Sequence, residues 1–224
     1  MITNYGLDNF LIMIAIGILS IVIGFFLKNN LFIFIPLFIF GIILLLLAFW
    51  FFRDPYRKIP KEAVSNSNII LSPADGTITE ILEEIEPNYL KTQTKRITIF
   101  LSPLDVHVNR IPMNGVIKYF DYARGKKLVA SSPEASSQNQ QTLFGLENEF
   151  GKILFKQIVG ILARRLVWDI KPGDTVTAGQ KFGMMKFGSR MDIHVPLNSK
   201  ILVKVGDKVT AGITFLALLS TESK

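Results

Sequence analysis

The sequence lacks cysteine altogether and has only two histidines among its 224 residues. Without cysteine there can be no disulfide, no thiolate nucleophile and no cysteine-ligated zinc, and the composition agrees with a reducing compartment. An imidazole base can come only from His107 or His194. These absences remove several enzyme classes at once, and no metal site is predicted.

Charge is almost absent from residues 1–52, which hold one acid, Asp8, and one base, Lys28. Residues 10–27 and 31–52 are apolar, Gly or Ser apart from Pro36, and each run approaches the ~20 residues that span a bilayer. A signal peptide followed by a core helix is the alternative. It is disfavoured because no base precedes the first run and no small-residue cleavage site follows it. We therefore predict a transmembrane helical hairpin.

The orientation of this hairpin follows from the bases that flank it. Only residues 28–30 separate the two runs, so both outer ends must emerge on the same side. A single base, Lys28, lies in the turn, whereas four follow the second run: Arg53, Arg57, Lys58 and Lys61. An excess of Lys and Arg marks the cytoplasmic face, which predicts a cell-membrane protein with residues 53–224 in the cytoplasm.

The net charge of +7 lies entirely beyond residue 52, because Asp8 and Lys28 cancel. Such a charge favours an anionic membrane surface. Nucleic acid is disfavoured as a partner, since the bases are scattered and no recognition motif accompanies them.

The rest of the chain predicts a linker and a mostly β domain. Residues 53–66 contain two prolines and several charges, which suits a juxtamembrane linker. From residue 67 onward, short β-branched stretches alternate with Gly, Pro, Asn and Asp. Residues 128–143 are polar and unpatterned, and we expect a surface loop there.

One internal repeat is visible, because residues 170–185 return as residues 203–218. In both copies Gly-Asp predicts one tight turn and Val-Thr-Ala-Gly a second. Two such hairpin units are typical of the hammerheads in lipoyl and biotinyl carrier domains and predict a compact sandwich of that kind. The repeat speaks for the fold and not for the chemistry.

Three short segments interrupt the strand pattern: residues 72–76 (SPADG), 102–110 (SPLDVHVNR) and 186–194 (KFGSRMDIH). Taken singly, each has an ordinary explanation. SPADG is typical of a β-turn, His107 and His194 each alternate with apolar neighbours in a strand, and Gly188-Ser189 alone is a turn dipeptide.

The three segments belong to a set of five that occur in a fixed order along the chain: FFRDPYR, LSPADG, FLSPLDVHVNRIPMNG, GILARRLV and KFGSRMDIHVP. Together they resemble the phosphatidylserine decarboxylase family in its short, membrane-anchored form, from about residue 51 to residue 196. The resemblance implies the barrel-sandwich, lipoyl-like core of pyruvoyl-dependent phospholipid decarboxylases. It also implies decarboxylation of a serine phospholipid to the ethanolamine lipid.

The resemblance further implies that the chain cuts itself between Gly188 and Ser189. Chain 1–188 would keep the anchor, and Ser189 would become a covalent pyruvoyl group at the start of chain 189–224. Serine needs a base to become a nucleophile, and His107 oriented by Asp75 would complete an Asp-His-Ser set.

One departure from the family is Arg110. Better-known members carry a second histidine at this position, and the two histidines there divide self-cleavage and decarboxylation between them. The sequence leaves open whether His107 serves both steps or whether Arg110 or His194 takes part in one. Four arginines are candidates for the lipid phosphate: Arg110, Arg190, Arg164 and Arg165. A solvated or membrane-facing charge run explains the last two equally well.

Two other functions remain open at this stage. A membrane-tethered carrier would use Lys186, next to Met-Met, as its modified residue. An archaetidylserine decarboxylase would perform the same head-group chemistry on an ether lipid, and the sequence does not distinguish the tails. A homo-oligomer through the β-rich domain is also left open.

Overall fold

The computed structural model describes residues 1–126, 128–129, 132, 134–160, 165–186 and 189–220. The chain divides into two compact units, Met1–Tyr56 and Arg57–Lys224. The division falls inside the predicted linker.

The first unit contains the two predicted apolar helices, α1 (Leu7–Phe26) and α2 (Leu31–Phe51), after a short 3-10 helix at Asn4–Gly6. Close packing is possible because glycines lie at the crossing: a Cβ on Gly41 would be 2.6 Å from the Gly17 carbonyl oxygen. Each helix is long and apolar enough to cross a membrane, and only 11% of each apolar window is buried.

The described residues of the second unit are mostly β, with two short helices, α3 (Lys61–Ser65) and α4 (Ala135–Gln138). Its strands in the described residues are β1 (Ile69–Leu71), β2 (Gly76–Glu86), β3 (Thr92–Leu101), β4 (Val108–Arg110), β5 (Gly115–Ala123), β6 (Gln141–Asn148), β7 (Gly151–Val159), β8 (Leu166–Trp168), β9 (Thr175–Val176), β10 (Lys181–Met185), β11 (Ser189–Pro196), β12 (Lys200–Ile201), β13 (Lys208–Val209) and β14 (Phe215–Leu218).

These strands form three antiparallel sheets. The largest has the order β13-β2-β3-β11-β7-β6-β5-β9, and the smaller two have the orders β4-β10-β8 and β1-β14-β12. The large sheet curls into a half-barrel. Tyr89, at the β2–β3 turn, stacks on Tyr119 of β5 with ring centroids 5.4 Å apart, although three other strands separate β3 from β5.

The hydrophobic core lies between the large sheet and the small sheets. Phe182 of β10 meets Phe144 and Phe155 of the large sheet edge-on, at centroid distances of 5.7 and 5.3 Å. On β11, Met191 and Ile193 face this core. The core therefore joins the sheet that carries Ser189 to the sheet that contains β4.

The predicted repeat of hairpin units is confirmed. The Asp174 N–H bonds to the Lys171 carbonyl at 3.1 Å, and Asp207 and Lys204 make the same bond at the same distance. The glycines that precede the aspartates have φ values of 98° and 95°, in the left-handed region that favours glycine.

A second repeat is present that was not predicted from the sequence. Residues 72–76 (SPADG) correspond to residues 111–115 (IPMNG). Asp75 Oδ1 accepts the Ala211 N–H at 2.8 Å, and Asn114 Oδ1 accepts the Ala178 N–H at the same distance. Each pair joins one turn to one copy of the hairpin unit, so these two positions hold the sandwich together.

The expectation of a surface loop at residues 128–143 is wrong for much of its described part. Helix α4 and the start of β6 lie within it. Ser136 is buried because its hydroxyl bonds to Asp192 and accepts a hydrogen bond from Arg96 at 2.6 Å. A polar segment is buried here because a charged strand face lies beneath it.

Candidate active site

Ser189 is the first residue of β11, in the interior of the eight-stranded sheet. Its cross-strand neighbours are Leu101 on β3 and Val159 on β7. Because side chains alternate along a strand, Ser189 faces the same side as Met191, toward the core. The side chain is fully buried, and its Oγ has no hydrogen-bond partner among the described residues. A buried hydroxyl without a partner is costly, which makes Ser189 a functional candidate.

The chain reaches Ser189 from β10, which ends at Met185. Gly188, the other half of the predicted cleavage bond, lies outside the described residues. The Met185 N–H donates to the His107 carbonyl at 3.3 Å. In addition, the turn that follows Leu101, the strand partner of Ser189, leads directly to His107. The fold thus brings His107 and Ser189 to the same end of the sandwich.

The His107 imidazole is fully buried, and its Nδ1 lies 2.9 Å from the carbonyl oxygen of Asp105. A carbonyl only accepts hydrogen bonds, so Nδ1 carries the proton and Nε2 carries the lone pair. The Asp105 carboxylate closes the turn that presents this carbonyl by accepting the Ser102 N–H at 2.8 Å. His107 is therefore held in the tautomer that can accept a proton at Nε2. The role of Asp105 was not predicted from the sequence.

Asp75 does not orient His107 in this structure, and that part of the prediction is wrong. Arg57 donates to both Asp75 carboxylate oxygens, at 2.6 and 2.7 Å, and Ala211 N–H donates to one of them. In the other half of the domain, Asn114 occupies the corresponding position. The Asn114 amide oxygen makes the same kind of backbone bond, so that bond needs no charge, and the charge of Asp75 is matched by Arg57. Asp75 therefore stabilises the fold and holds Arg57.

This assignment predicts that Asp75→Asn and Arg57→Gln have similar effects. Both remove a largely buried ion pair, so each should lower the free energy of unfolding by about 3 kcal/mol. Thermal unfolding measures that loss, and denaturing electrophoresis measures self-cleavage. If Asp75 acted through His107, Asp75→Asn would abolish cleavage while Arg57→Gln would not, and that outcome would restore the catalytic assignment.

Arg190 must be withdrawn as a phosphate candidate. It is 2% exposed, and its guanidinium donates to Asp192 at 2.9 Å and to Glu80 at 2.9 Å. Asp192 is completely buried, and burial by itself raises the pKa of its carboxyl group. The positive charges of Arg190 and Arg96 have a larger, opposite effect, so the pKa lies below its ordinary value. The guanidinium is needed to neutralise this carboxylate and cannot also bind a substrate phosphate.

The other three arginines differ in their accessibility. Arg110 is 6% exposed and donates to the Gly179 carbonyl at 2.8 Å, among the turns of the repeat. Arg165 is exposed, and its carbonyl accepts the Lys186 N–H at 3.3 Å. Arg164 lies outside the described residues. Arg165 is therefore an exposed residue next to the segment that leads to Ser189.

His194 is a buried residue of the opposite face of β11. It is 1% exposed, its Nδ1 lies 3.2 Å from Thr94 Oγ1, and its Nε2 lies 3.9 Å from Glu84. At the rise of a β-strand it stands about 16 Å from Ser189. His194 is therefore a packing residue and not part of the group around Ser189.

Burial, reinforced by the nearby Lys156 charge, lowers the pKa of His194 from 6.5 to about 3. The folded chain keeps this imidazole neutral, whereas the unfolded chain binds a proton below pH 6.5. Stability should therefore fall as the pH drops from 6.5 toward 3, by about 2 kcal/mol at pH 5. Thermal midpoints at pH 7 and pH 5 test this. His194→Gln should lose less stability over that interval, and an equal loss would contradict the assignment.

Comparison with known proteins agrees with this geometry. The sequence model of the family described as phosphatidylserine decarboxylase matches residues 44–217. The match includes the whole segment from Asp75 to His194. The chain belongs to the phosphatidylserine decarboxylase family.

Curated relatives support this assignment over most of their length. A phosphatidylserine decarboxylase proenzyme of Salinibacter ruber is 50% identical over 173 residues, which cover 77% of this chain and 75% of the relative. Proteins of the same name from Amoebophilus asiaticus and Carboxydothermus hydrogenoformans are 42% and 39% identical. They cover 82% and 93% of this chain, and 82% and 93% of their own lengths.

The carrier hypothesis does not fit this member of the phosphatidylserine decarboxylase family. A carrier lysine must reach a modifying enzyme from an exposed turn. Lys186 is 4% exposed, and its backbone N–H is bonded to Arg165. The structure therefore contradicts its assignment as a modified residue.

This family member also has a chain of buried polar side chains beside Ser189 that was not predicted from the sequence. Thr142 Oγ1 donates to Gln157 Oε1 at 2.8 Å, and Gln157 Nε2 donates to Asn109 Oδ1 at 2.9 Å. All three residues are fully buried. The sequence did contain one indication of a buried polar group. Gln157 is the one polar residue among the inward positions 153, 155, 157 and 159 of β7.

Proposed function

We propose that this chain is a proenzyme that cuts itself between Gly188 and Ser189 and then decarboxylates phosphatidylserine to the ethanolamine lipid. The observation that carries the proposal is the buried Ser189 hydroxyl, which has no partner among the described residues and lies at the same end of the sandwich as His107. Family membership and the shared name of the relatives support the substrate.

In the processing step, His107 Nε2 takes the proton of Ser189 Oγ, and Oγ attacks the carbonyl carbon of Gly188. The peptide C–N bond then breaks, the nitrogen of Ser189 receives the proton, and an ester remains. Elimination of this ester releases chain 1–188. Water converts the resulting dehydroalanine to a pyruvoyl group on chain 189–224, with loss of ammonia. Glycine at the acyl position leaves its carbonyl open to attack.

The residues around Ser189 fit a pyruvoyl group at this position. Pairing with Leu101 and Val159 begins at Ser189 itself, so strands β3 and β7 would hold the new N-terminus after cleavage. When present, the pyruvoyl group supplies the electron sink for loss of carbon dioxide. His107 would return a proton to the substrate α-carbon, and the buried setting would limit access of water.

Arg165 is the best remaining candidate for the lipid phosphate. Its side chain is exposed, and its backbone is bonded to Lys186, three residues before Ser189. A guanidinium offers parallel donors to phosphate oxygens. Arg164 could act with it. Arg110 is less suited because its guanidinium is directed at Gly179.

The helical hairpin supports a membrane anchor. Helices α1 and α2 have the length and composition of membrane spans, and most of their apolar side chains are exposed. The basic residues after α2 favour a cell-membrane protein whose catalytic domain lies on the cytoplasmic side. An anchor keeps the site close to a diacyl substrate, whose head group alone reaches water.

The domain plan is a hairpin at residues 1–52, a linker at 53–66 and a catalytic domain at 67–224. The repeated hairpin units support a barrel-sandwich core of the lipoyl-like kind. The shared name of the relatives favours phosphatidylserine over an ether-linked archaetidylserine.

Release of carbon dioxide tests the proposed reaction. The purified full chain in detergent is supplied with phosphatidylserine labelled in the serine carboxyl group, and labelled carbon dioxide is collected. Wild type should release the label, and an ether-tailed serine lipid serves as the second substrate. A fully processed chain that releases no label from either lipid would contradict the proposed reaction.

A further inference from the structure

Asn109 holds a buried hydrogen-bond donor that nothing in the described structure uses. Its side chain is fully buried, and its Oδ1 accepts from Gln157 at 2.9 Å. Its Nδ2 has no hydrogen-bond partner among the described residues. A buried donor left unpaired costs about 1–3 kcal/mol, so its presence calls for a functional explanation.

The neighbouring bonds determine which end of the Asn109 amide is unused. Gln157 Nε2 lies 3.4 Å from the carbonyl oxygen of Val167, which can only accept, and Thr142 donates to Gln157 Oε1. Gln157 must therefore turn its nitrogen toward Asn109. The Asn109 oxygen accepts this hydrogen bond, and the N–H2 group of Asn109 points away from Gln157.

The position of this donor follows from the strand register. Val159 pairs with Ser189, and Gln157 lies two residues earlier on the same face of β7, so Gln157 and Ser189 are diagonal neighbours about 7–8 Å apart. His107 lies two residues before Asn109, on the same side of that segment. The fold thus gathers a nucleophile, a base and an unused amide donor at one buried end of the sandwich.

We propose that Asn109 Nδ2 donates a hydrogen bond to the oxygen that becomes negative when Ser189 attacks the carbonyl before it. This inference rests on the proposed function. As the Oγ–C bond forms, the carbonyl π electrons move to that oxygen, and the Oγ proton passes to His107. Collapse breaks the C–N bond, and the nitrogen takes the proton. Asn109 makes no covalent bond, and a donor of this kind contributes about 10²–10³-fold in rate.

Two substitutions separate the donor from the bond that holds it. Asn109→Asp keeps an oxygen facing Gln157 and removes the N–H2 donor, whereas Gln157→Leu removes the bond and keeps the donor. The full chain is synthesised cell-free into lipid vesicles, and conversion of uncut chain to chain 1–188 is followed over time by denaturing electrophoresis. Asn109→Asp should slow conversion at least ~100-fold, and Gln157→Leu less than ~10-fold.

Asn148→Asp is the matched control. This amide donates to the carbonyls of Ser67 and Asn114 at 2.7 and 2.8 Å, at the end of β6, and its loss should leave the rate at the wild-type value.

Stability is measured separately so that a folding defect does not imitate a catalytic one. Each substitution is placed in a Ser189→Ala chain, which does not cut itself, and thermal midpoints are compared. Asn109→Ala is included because it removes both donor and acceptor. Processing rates should follow the presence of the donor and not the order of the midpoints.

The inference is overturned if Asn109→Asp cuts itself at the wild-type rate. It is also overturned if the self-cleavage rates follow the thermal midpoints of the variants and Gln157→Leu cuts itself more slowly than Asn109→Asp. A wild-type chain that never splits would instead overturn the proposed function.

Discussion

Replacement of Ser189 by alanine should leave one uncut chain and lower decarboxylase activity by more than ~10⁴-fold, because the same residue supplies the nucleophile and the pyruvoyl group. Ser189 is the first residue of β11 and pairs with Leu101 and Val159, and neither of these neighbours has a hydroxyl group that could replace it. Denaturing electrophoresis should show two fragments for wild type and a single chain for Ser189→Ala.

Ser199→Ala is a matched control for this substitution. Ser199 is also buried, at 2% exposure, and its Oγ also has no hydrogen-bond partner among the described residues. It follows the other end of β11, far from His107. This variant should process and release carbon dioxide as wild type does. A Ser189→Ala chain that still split at residue 188 would exclude Ser189 as the nucleophile.

Replacement of His107 by glutamine should slow self-cleavage by about 10²–10⁴-fold. Glutamine is similar in size and can retain a hydrogen bond to the Asp105 carbonyl, but it cannot take the proton of Ser189. The fraction of uncut chain is measured over time, and carbon dioxide release is measured on the fraction that has been cut. Loss in both measurements would show that His107 serves both steps.

His194→Gln makes the same chemical change at the other buried histidine. It should alter stability at acidic pH while leaving self-cleavage close to the wild-type rate. Strong loss of cleavage in His194→Gln, with an unchanged thermal midpoint at neutral pH, would mean that the wrong histidine had been assigned. Normal cleavage in His107→Gln would have the same meaning.

The helices and the repeat were predictable because their signals are local. Uncharged runs of this length have few alternatives to a helix, and repeated Gly-Asp turns specify their own conformation. Helix α1 begins at Leu7, earlier than the apolar run, because Asp8 lies in its first turn, where an acidic side chain is favourable. For strand β11 the sequence showed only that His194 alternates with apolar neighbours, and nothing local indicates that Arg190 and Asp192 on the same face are also buried.

The partners of the charged residues could not be predicted, because partner choice is decided by tertiary structure. Asp75 had the right chemistry to orient His107, but Arg57 and the Ala211 amide occupy its oxygens. Likewise, the sequence shows that Arg190 is a cation but not that Asp192 lies buried beside it. The resemblance located Ser189 and His107, and the structure reassigned the residues around them.

The same limit applies to Asn109. Its motif suggested a strand next to His107, and nothing in the local sequence shows that Gln157, on another sheet, would take one end of its amide and leave the other unused. A buried donor becomes visible only when both sheets are assembled.

The mass of the purified wild-type protein tests the central claim most directly. Under denaturing conditions the account predicts two species, chain 1–188 and chain 189–224. The second should be lighter by one ammonia than the same fragment with an N-terminal serine, because the pyruvoyl group has lost the nitrogen of Ser189. A single intact chain that nevertheless decarboxylates phosphatidylserine would contradict the account.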